Sequence, residues 1–161
     1  MAHMKRKVLR VYADTSVFGG VFDEEFCEAS RTLFHQVRDG RFSLVTSGAV
    51  RREIAEAPAR VQAFFESVLP LVEVVEVTAA AVELQTAYLR AGIVSPKWAV
   101  DALHVALAAT TGCSLIVSWN FAHIVHFDKI ALYNEVNALR GHAALGIHSP
   151  LEVIGYEDQD L

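Results

Sequence analysis

The sequence predicts an α/β fold in which helices cover both faces of a mostly parallel central sheet. Short apolar runs typical of buried strands alternate with longer segments whose apolar residues have helical spacing. The chain has 161 residues, 53% of them hydrophobic, and no Gly/Ser-rich linker or internal repeat divides it. We therefore expect a single domain over residues 1–161, in which residues 1–3 resemble a cloning remnant and residues 157–161 form an acidic tail.

The first predicted unit is a strand followed by a helix. Residues 8–13 form an apolar run that Arg10 interrupts, which is typical of a buried strand. Residues 28–39 have helical spacing, and Gly40 is placed to end the helix. The apolar side of this helix holds Ala29, Leu33, Phe34 and Val37.

A second strand and two short helices are expected next. Residues 42–46 predict the strand, and Ser47 can cap a helix that contains residues 51–57. Pro58 interrupts or restarts this helix, and a further helix follows to about Ser67.

The middle of the chain predicts a third strand and a helix. Residues 71–77 are compatible with the strand, although they include two glutamates. Thr78 then caps a helix over residues 79–89 that ends near Gly92.

The remaining elements continue this alternation of helix and strand. Ser95 and the proline after it begin a helix over residues 97–111, and Gly112 is its stop. The last predicted elements are a strand at 115–117, a helix at 127–139 that Gly141 ends, and a strand at 145–147.

Charge and composition narrow the class of protein. The net charge is −5, with 19 acidic against 14 basic residues, which argues against a protein that coats nucleic acid through a broad cationic surface. Cys27 and Cys113 lie far apart without zinc-site spacing, so reduced thiols in a cytoplasm are expected. The sequence has no apolar stretch of membrane-spanning length and no signal-peptide core. We expect a cytoplasmic protein without membrane attachment.

Four polar residues interrupt or follow the apolar segments: Asp14, Glu53, Asp101 and Asn120. Asp14 and Asn120 follow predicted strands, at the sheet edge where α/β folds bind ligands. Glu53 and Asp101 are expected early in helices. Acids in apolar surroundings are costly unless they are paired or bind a cation, and oxygen ligands around a wet pocket suit Mg²⁺. The pattern therefore predicts Mg²⁺-dependent cleavage of a phosphodiester.

Each of the three acids also has an ordinary structural interpretation. Asp14 can cap the turn that follows it, and Glu53 can be a surface glutamate that pairs with Arg51 or Arg52. Asp101 can simply interact favourably with the helix dipole, which would stabilise the helix by about 0.3 to 1 kcal/mol. The segment after Asp101 is apolar almost all round, however, so we expect a central helix with an enclosed N-terminus.

Histidines and aromatic residues near these positions are less specific signals. For His104, His123 and His126 we favour a structural or hydrogen-bonding role over a transition-metal site, because no cysteine joins them. Trp119 and Phe121 flank the asparagine and can stack on an unpaired base, but a place in the core is the commoner role for such aromatics and the one we expect.

Four motifs in this order resemble the PIN domain family. The similarity covers essentially the whole chain, and the joint order of the motifs is more specific than any one of them. The motifs are Tyr12-Ala13-Asp14-Thr15-Ser16-Val17-Phe18, Glu53 in a helix after the second strand, Asp101-Ala102-Leu103-His104-Val105-Ala106-Leu107-Ala108, and Ser118-Trp119-Asn120-Phe121.

The resemblance implies a Rossmann-like three-layer α/β/α sandwich and an Mg²⁺- or Mn²⁺-dependent endoribonuclease that cleaves single-stranded RNA, as in VapC-like toxins of type II toxin–antitoxin pairs. Asp14, Glu53 and Asp101 match the metal-binding acids of the family. Asn120 stands where many members carry a fourth Asp, and its amide can offer a carbonyl oxygen but no negative charge. An antitoxin partner and a homodimer are expected by analogy.

Further residues are candidates for contact with the substrate. Arg51 and Arg52 flank a candidate metal ligand and can meet backbone phosphate, whereas Thr15, Ser16 and Ser118 can support the acids through hydrogen bonds.

Two other functions compete with the nuclease hypothesis. The first is a weak or inactive PIN-like module that binds RNA or a protein partner, which Asn120 and the negative charge favour. The second is a haloacid-dehalogenase-like phosphatase, which is disfavoured because no second Asp lies two residues after Asp14.

Overall fold

A computed structural model describes residues 8–155 of the protein. The proposed cloning remnant and the acidic tail lie outside these residues. The described chain forms one five-stranded sheet with strand order β3-β2-β1-β4-β5, and its neighbouring strands pair in parallel. The predicted α/β class with a parallel sheet is therefore confirmed. The strands are β1 (Leu9–Ala13), β2 (Phe42–Ser47), β3 (Val72–Val75), β4 (Leu115–Val117) and β5 (Gly146–His148).

Helices connect the strands and form two groups by contact. The helices are α1 (Thr15–Gly20), α2 (Cys27–Arg38), α3 (Gly48–Ile54), α4 (Ala59–Val68), α5 (Ala79–Arg90), α6 (Ala99–Thr110), α7 (Phe127–Leu139) and α8 (Pro150–Val153). Helix α1 packs on α2 and α4, and α8 packs on α2, whereas α5 packs on α6 and α7; helix α3 contacts both groups. Among residues 8–155, every helix is too short or too polar to cross a membrane.

The core lies around the two central strands and the helix that covers them. All residues of β4 and the last three of β1 are buried, as expected for strands with helices on both faces. Helix α6 is buried through most of its length, which confirms the prediction of a central helix, but its N-terminus is not enclosed as predicted, because Trp98 and Val100 are exposed. Its buried residues are Ala102, His104, Val105, Ala106, Leu107 and Ala108.

Local sequence signals account for several helix ends. The hydroxyls of Ser47 and Thr78 accept hydrogen bonds from Val50 N and Ala81 N, so both predicted N-caps are confirmed. The four glycines predicted as helix stops have positive φ, a conformation that costs other residues more. These glycines are Gly40, Gly92, Gly112 and Gly141.

The sequence misplaced the starts of two helices and missed helix α1. Because Ser47 caps directly after β2, α3 begins at Gly48, and Glu53 lies near the end of this helix rather than early in it. The helix predicted from residue 97 opens as a 3-10 turn, Pro96–Trp98, before α6 begins. Helix α1 was missed, because its six residues end in two glycines, which disfavour helix.

The strand order creates a crevice at the carboxyl edge of the sheet. From β1 the chain adds β2 on one side and later β4 on the other, so the order of the strands reverses between β1 and β4. Ligands of open α/β sheets bind at such a switch point. Asp14 directly follows β1 and Ser118 directly follows β4, so both lie at this crevice.

Candidate active site at the switch point of the sheet

Asp14 is a buried carboxylate at the end of β1. Its side chain is 4% exposed, and its two oxygens accept hydrogen bonds from Ser16 Oγ at 2.6 Å and Ser118 Oγ at 2.7 Å. Burial raises the pKa of Asp14, and the charge of His104 and the two hydroxyls oppose this effect without cancelling it. The fold therefore holds a carboxylate where negative charge is unfavourable.

The same two hydroxyls fasten the loop after β4 to the loop after β1. Ser16 Oγ accepts a hydrogen bond from Trp119 N at 2.8 Å, and Ser118 Oγ accepts one from Asn120 N at 2.9 Å. Each hydroxyl thus donates to Asp14 and accepts from a backbone N–H of the loop after β4, and the bonds from Trp119 N to Ser16 and from Ser118 to Asp14 join the two loops. This arrangement fixes the backbone around the carboxylate and has the supporting role predicted for both serines.

Glu53 reaches the same region from the last turn of α3. Its Oε1 accepts hydrogen bonds from Thr15 Oγ1 and His104 Nε2, both at 2.6 Å. Burial raises the pKa of Glu53, but the hydrogen bond and charge of His104 and the hydrogen bond from Thr15 outweigh it, and the net pKa is lowered. Glu53 is accordingly the ionised neighbour of Asp14.

A buried chain of hydrogen bonds stands behind Glu53. Tyr12 Oη lies 2.7 Å from Ser47 Oγ and 2.8 Å from His104 Nδ1. An ionised carboxylate can only accept, so His104 Nε2 carries a proton toward Glu53. Tyr12 Oη continues the chain from His104 Nδ1 to Ser47 Oγ, which also accepts a hydrogen bond from Val50 N and so connects the network to the start of α3.

Asp101 lies in the first turn of α6 and pairs with a histidine. Its Oδ2 is 3.1 Å from His123 Nδ1, and the His123 ring stacks on Trp98 with centroids 4.3 Å apart. These residues belong to the lining of a cavity of about 510 Å³. The lining consists of Glu53, Lys97, Trp98, Val100, Asp101, Asn120, Ala122 and His123.

Asn120 shapes the loop that carries His123. Its side-chain Oδ1 accepts a hydrogen bond from His123 N at 2.9 Å, and its backbone carbonyl oxygen accepts one from Val125 N at 2.8 Å. The amide thus orders this turn in addition to lining the cavity.

The structure brings most of the predicted site residues together. Glu53, Asp101 and Asn120 line one cavity, and Asp14 joins them through the hydrogen bonds of its neighbours Thr15 and Ser118. The two arginines are placed differently. Both are exposed, and Arg51 lines a separate cavity with Gln62 and Glu66, so their contact with phosphate stays a prediction.

Sequence reasoning did not assign four residues to this site: Lys97, Trp98, His104 and His123. A signal existed for His104, because it follows Asp101 by three positions and therefore shares a helix face with it. The hydrogen-bonding role expected for His104 is confirmed, and the ring of His123 is placed against Asp101 and Trp98. No comparable signal marked Trp98, whose place depends on packing between remote segments.

The two aromatic residues beside Asn120 differ in burial. Trp119 is 9% exposed, stacks on Phe26 and donates from Nε1 to Ser30 Oγ at 2.8 Å, so its prediction as core is confirmed. Phe121 is 48% exposed, and the same prediction was wrong for it. The polar turn around Asn120 directs this ring outward, toward a second cavity.

The donor set suits a hard divalent cation, although Glu53 and Asp101 each already have a histidine partner. In residues 8–155, no group of three or more His, Cys, Asp or Glu side chains is arranged to hold a metal ion. Asp14 is nevertheless a buried carboxylate whose direct partners are hydroxyls, a setting that favours a neutralising cation. The histidine contacts use Oε1 of Glu53 and Oδ2 of Asp101, so each group has a second oxygen for a ligand. By type and by charge, these residues fit Mg²⁺ or Mn²⁺.

Comparisons with known proteins agree with this fold. A structure of VapBC2 from Rickettsia felis, bound to a DNA fragment from their promoter, matches 71% of this chain and 90% of its own with TM-score 0.53 and 14% identity. VapC20 from Mycobacterium tuberculosis, a Sarcin-Ricin loop cleaving toxin, matches 70% of this chain and 92% of its own with TM-score 0.50 and 17% identity. No curated protein matches the sequence. A family model for the PIN domain matches residues 10–122, more than half of the sequence, and the chain therefore belongs to the PIN domain family.

Proposed function

We propose that the protein is a divalent-metal-dependent endoribonuclease that cleaves single-stranded RNA. The observation that carries this proposal is the buried, unneutralised carboxylate of Asp14 beside a cavity lined by Glu53, Asp101 and Asn120. Membership in the PIN domain family and the position of these residues at the switch point of the sheet support the same assignment.

The residues have distinct roles in this proposal. Asp14, Glu53 and Asp101 would hold Mg²⁺ or Mn²⁺, and Asn120 would orient a ligand water. When bound, the ion polarises a phosphate oxygen and lowers the pKa of a water.

Neighbouring side chains keep these acids in position. Thr15 and His104 hold Glu53 through direct hydrogen bonds, and His123 Nδ1 lies 3.1 Å from Asp101 Oδ2. Arg51 or Arg52 would meet the RNA backbone outside the cavity.

We further propose that the nuclease is the toxin of a type II toxin–antitoxin pair and acts in the cytoplasm. The fold shared with VapBC2 and with the toxin VapC20 supports this role. An antitoxin protein would then occlude the acidic cavity with a basic side chain, and a homodimer is expected by analogy. A neighbouring gene for a small DNA-binding protein is the test of this pairing, and copurification of its product is the direct measurement.

An RNA digestion assay tests the nuclease activity. Wild-type protein should cut single-stranded RNA with Mg²⁺ and stop when a chelator is added, and Asp101→Asn should reduce the rate by about 100-fold or more. Asn120→Asp adds a negative oxygen ligand and should cut at least as fast as wild type. Asp128→Asn, an exposed Asp in the first turn of another helix, is the matched control and should be unaffected. Equal cleavage by wild type and Asp101→Asn would point to a contaminant.

A second candidate is a non-catalytic PIN module that binds RNA or a protein partner. The pairing of Glu53 with His104 and of Asp101 with His123 favours it, because these acids are already satisfied without a cation. Calorimetric titration with Mn²⁺ separates the two functions. The nuclease should bind Mn²⁺ and lose binding on Asp14→Asn or Asp101→Asn, whereas an inert module should give no heat that depends on these residues.

A further inference from the structure

Trp98 lies beside the candidate acids in the lining of the cavity. Its side chain is 39% exposed, and it lines the same cavity as Glu53 and Asp101. An exposed indole is an unusual surface feature, because burying an aromatic ring contributes strongly to stability. A large apolar ring next to polar catalytic groups is typical of a ligand site.

The backbone around Trp98 holds the ring in place. Trp98 lies in the 3-10 turn that precedes α6, and its backbone N–H donates to Ser95 O at 2.9 Å. The next residue is tied to α5, because Gln85 Nε2 donates to Ala99 O at 2.8 Å. Such anchoring preorganises the indole, so little ordering is needed when a ligand contacts it.

His123 supports the indole and links it to the acids. The two rings are 4.3 Å apart with an interplanar angle of 25°, and His123 Nδ1 is also 3.1 Å from Asp101 Oδ2. Trp98, His123 and Asp101 therefore form one continuous unit. A group stacked on Trp98 would have a fixed position relative to the carboxylate.

The ammonium group of Lys97 lies near the Trp98 ring. Lys97 Nζ lies 5.0 Å from the centroid of the Trp98 ring, and its side chain is exposed. The rest of this wall carries the carboxylates of Glu53 and Asp101, which repel phosphate. Lys97 is flexible enough to leave the ring to a base and to meet an adjacent phosphate.

We propose that Trp98 is a stacking platform for one unpaired base of the RNA substrate and that Lys97 contacts the neighbouring phosphate. This inference rests on the proposed function and deepens it. Bases in a duplex already stack on each other, so a platform of this kind selects unpaired nucleotides. The aromatic pair beside Asn120 does not offer this surface, because Trp119 is buried and Phe121 faces a cavity rimmed by Glu25 and Glu28.

The binding experiment uses a fluorescein-labelled single-stranded RNA and fluorescence anisotropy in the presence of EDTA, which prevents cleavage. Trp98→Leu keeps an apolar side chain but removes the ring, and it should raise Kd by about tenfold to a hundredfold. Trp98→Phe keeps an aromatic ring and should retain most of the affinity. A merely structural role for this side chain would not separate Leu from Phe in this way.

Two controls complete the experiment. Phe127→Ala removes a ring that is 89% exposed and outside the cavity lining, and it should bind RNA as wild type does. Lys97→Gln should weaken RNA binding and reduce the slope of log K against log salt by the amount expected for about one phosphate contact. Labelled duplex RNA and single-stranded DNA of the same sequence show whether the platform selects unpaired bases and whether it discriminates the sugar.

The outcomes separate this inference from the proposed function. If the wild type cleaves RNA and Trp98→Leu binds and cleaves like wild type, the platform is overturned while the nuclease stands. If the wild type binds single-stranded RNA no better than duplex, the platform is also overturned. In the cleavage assay, Trp98→Leu should raise KM with kcat within about a factor of two, because stacking acts equally on bound substrate and transition state.

Discussion

Asp14 and Glu53 are neighbouring carboxylates whose surroundings shift their pKa values in opposite directions. Burial dominates for Asp14 and raises its pKa, whereas His104 and Thr15 outweigh burial for Glu53 and lower it. Acids separated in this way are characteristic of functional sites, where stability is sacrificed for chemistry. The sequence alone marked both residues as candidates, but it could not predict the difference, which depends on their contacts.

The first prediction concerns the stability cost of Asp14. A raised pKa means that the folded state disfavours the charged form, so at neutral pH the ionised side chain opposes folding. Asp14→Asn removes the charge with almost no change of shape, and in EDTA it should melt at a higher temperature than wild type. Mn²⁺ should then stabilise the wild type but not the variant.

Thermal melting followed by circular dichroism measures the melting temperatures of wild type and Asp14→Asn, first in EDTA and then in Mn²⁺. The exposed control Asp128→Asn should stay within about 0.5 kcal/mol of wild type. A lower melting temperature for Asp14→Asn would mean that the hydrogen bonds from Ser16 and Ser118 outweigh the cost of burying the charge.

His104 is predicted to be a stability residue as well as a support for Glu53. His104→Ala leaves a cavity in α6 and deprives Tyr12 Oη and Glu53 of a partner, which should cost about 3 kcal/mol. Tyr12→Phe removes one link of the same chain and should cost about 1 kcal/mol. Urea unfolding measures both.

The control for this comparison is His35→Ala, an exposed histidine in α2, which should change stability by no more than about 0.5 kcal/mol. Equal stability of His104→Ala and wild type would show that the buried chain contributes nothing to folding.

At the scale of elements, α1 depends on a close approach between its end and Trp119. A Cβ added at Gly20 would lie 2.6 Å from Ser30 Oγ and 2.8 Å from Trp119 Nε1, which interrupts their hydrogen bond. Gly20→Ala should therefore destabilise the protein by about 1 to 3 kcal/mol. Gly19, in the same helix, has open space around the corresponding position.

Gly19→Ala is the matched control, and it should stabilise the protein by about 0.5 to 1 kcal/mol, because alanine is the better helix former. Thermal unfolding of the two variants gives the comparison, and the fluorescence of Trp119 reports the disturbed contact. If both variants have the same sign, the packing of α1 against Trp119 has no energetic role.

The pattern of elements was predictable where local signals are strong. Caps at Ser47 and Thr78 and the glycine stops follow from single residues, and the structure has them where the sequence places them. Helix α1 was not predictable, because its six residues are held by tertiary packing rather than by helix propensity.

At the scale of the whole molecule, net charge restricts how RNA can bind. Because the net charge is −5, the RNA phosphates must be held by local contacts, such as the one proposed for Lys97. We predict a shallow salt dependence, with a slope of log K against log salt of about −1, as expected for one or two phosphates on a single strand. Anisotropy titrations over a range of salt concentrations measure it. A slope steeper than about −3 would indicate a wide cationic surface instead.

The assembly of the site could be predicted only in part. Parallel strands and the position of Asp14 and Asn120 at the carboxyl edge follow from the sequence pattern. The pairing of Glu53 with His104 and of His123 with Trp98 joins segments that are remote in the chain, and a periodicity argument contains no information on such contacts. Charge and burial at the site depend on these contacts.

The hydrogen bond between Asp14 and Ser118 spans 104 positions of the chain, and this separation has a consequence for protein synthesis. On the ribosome, β1 and β2 emerge early, but β4 and its serine emerge only after most of the helices. A nascent chain that stops short of residue 118 has the acid of β1 but not the loop that encloses it. The enclosed form of the Asp14 carboxylate can therefore exist only after synthesis has passed residue 118.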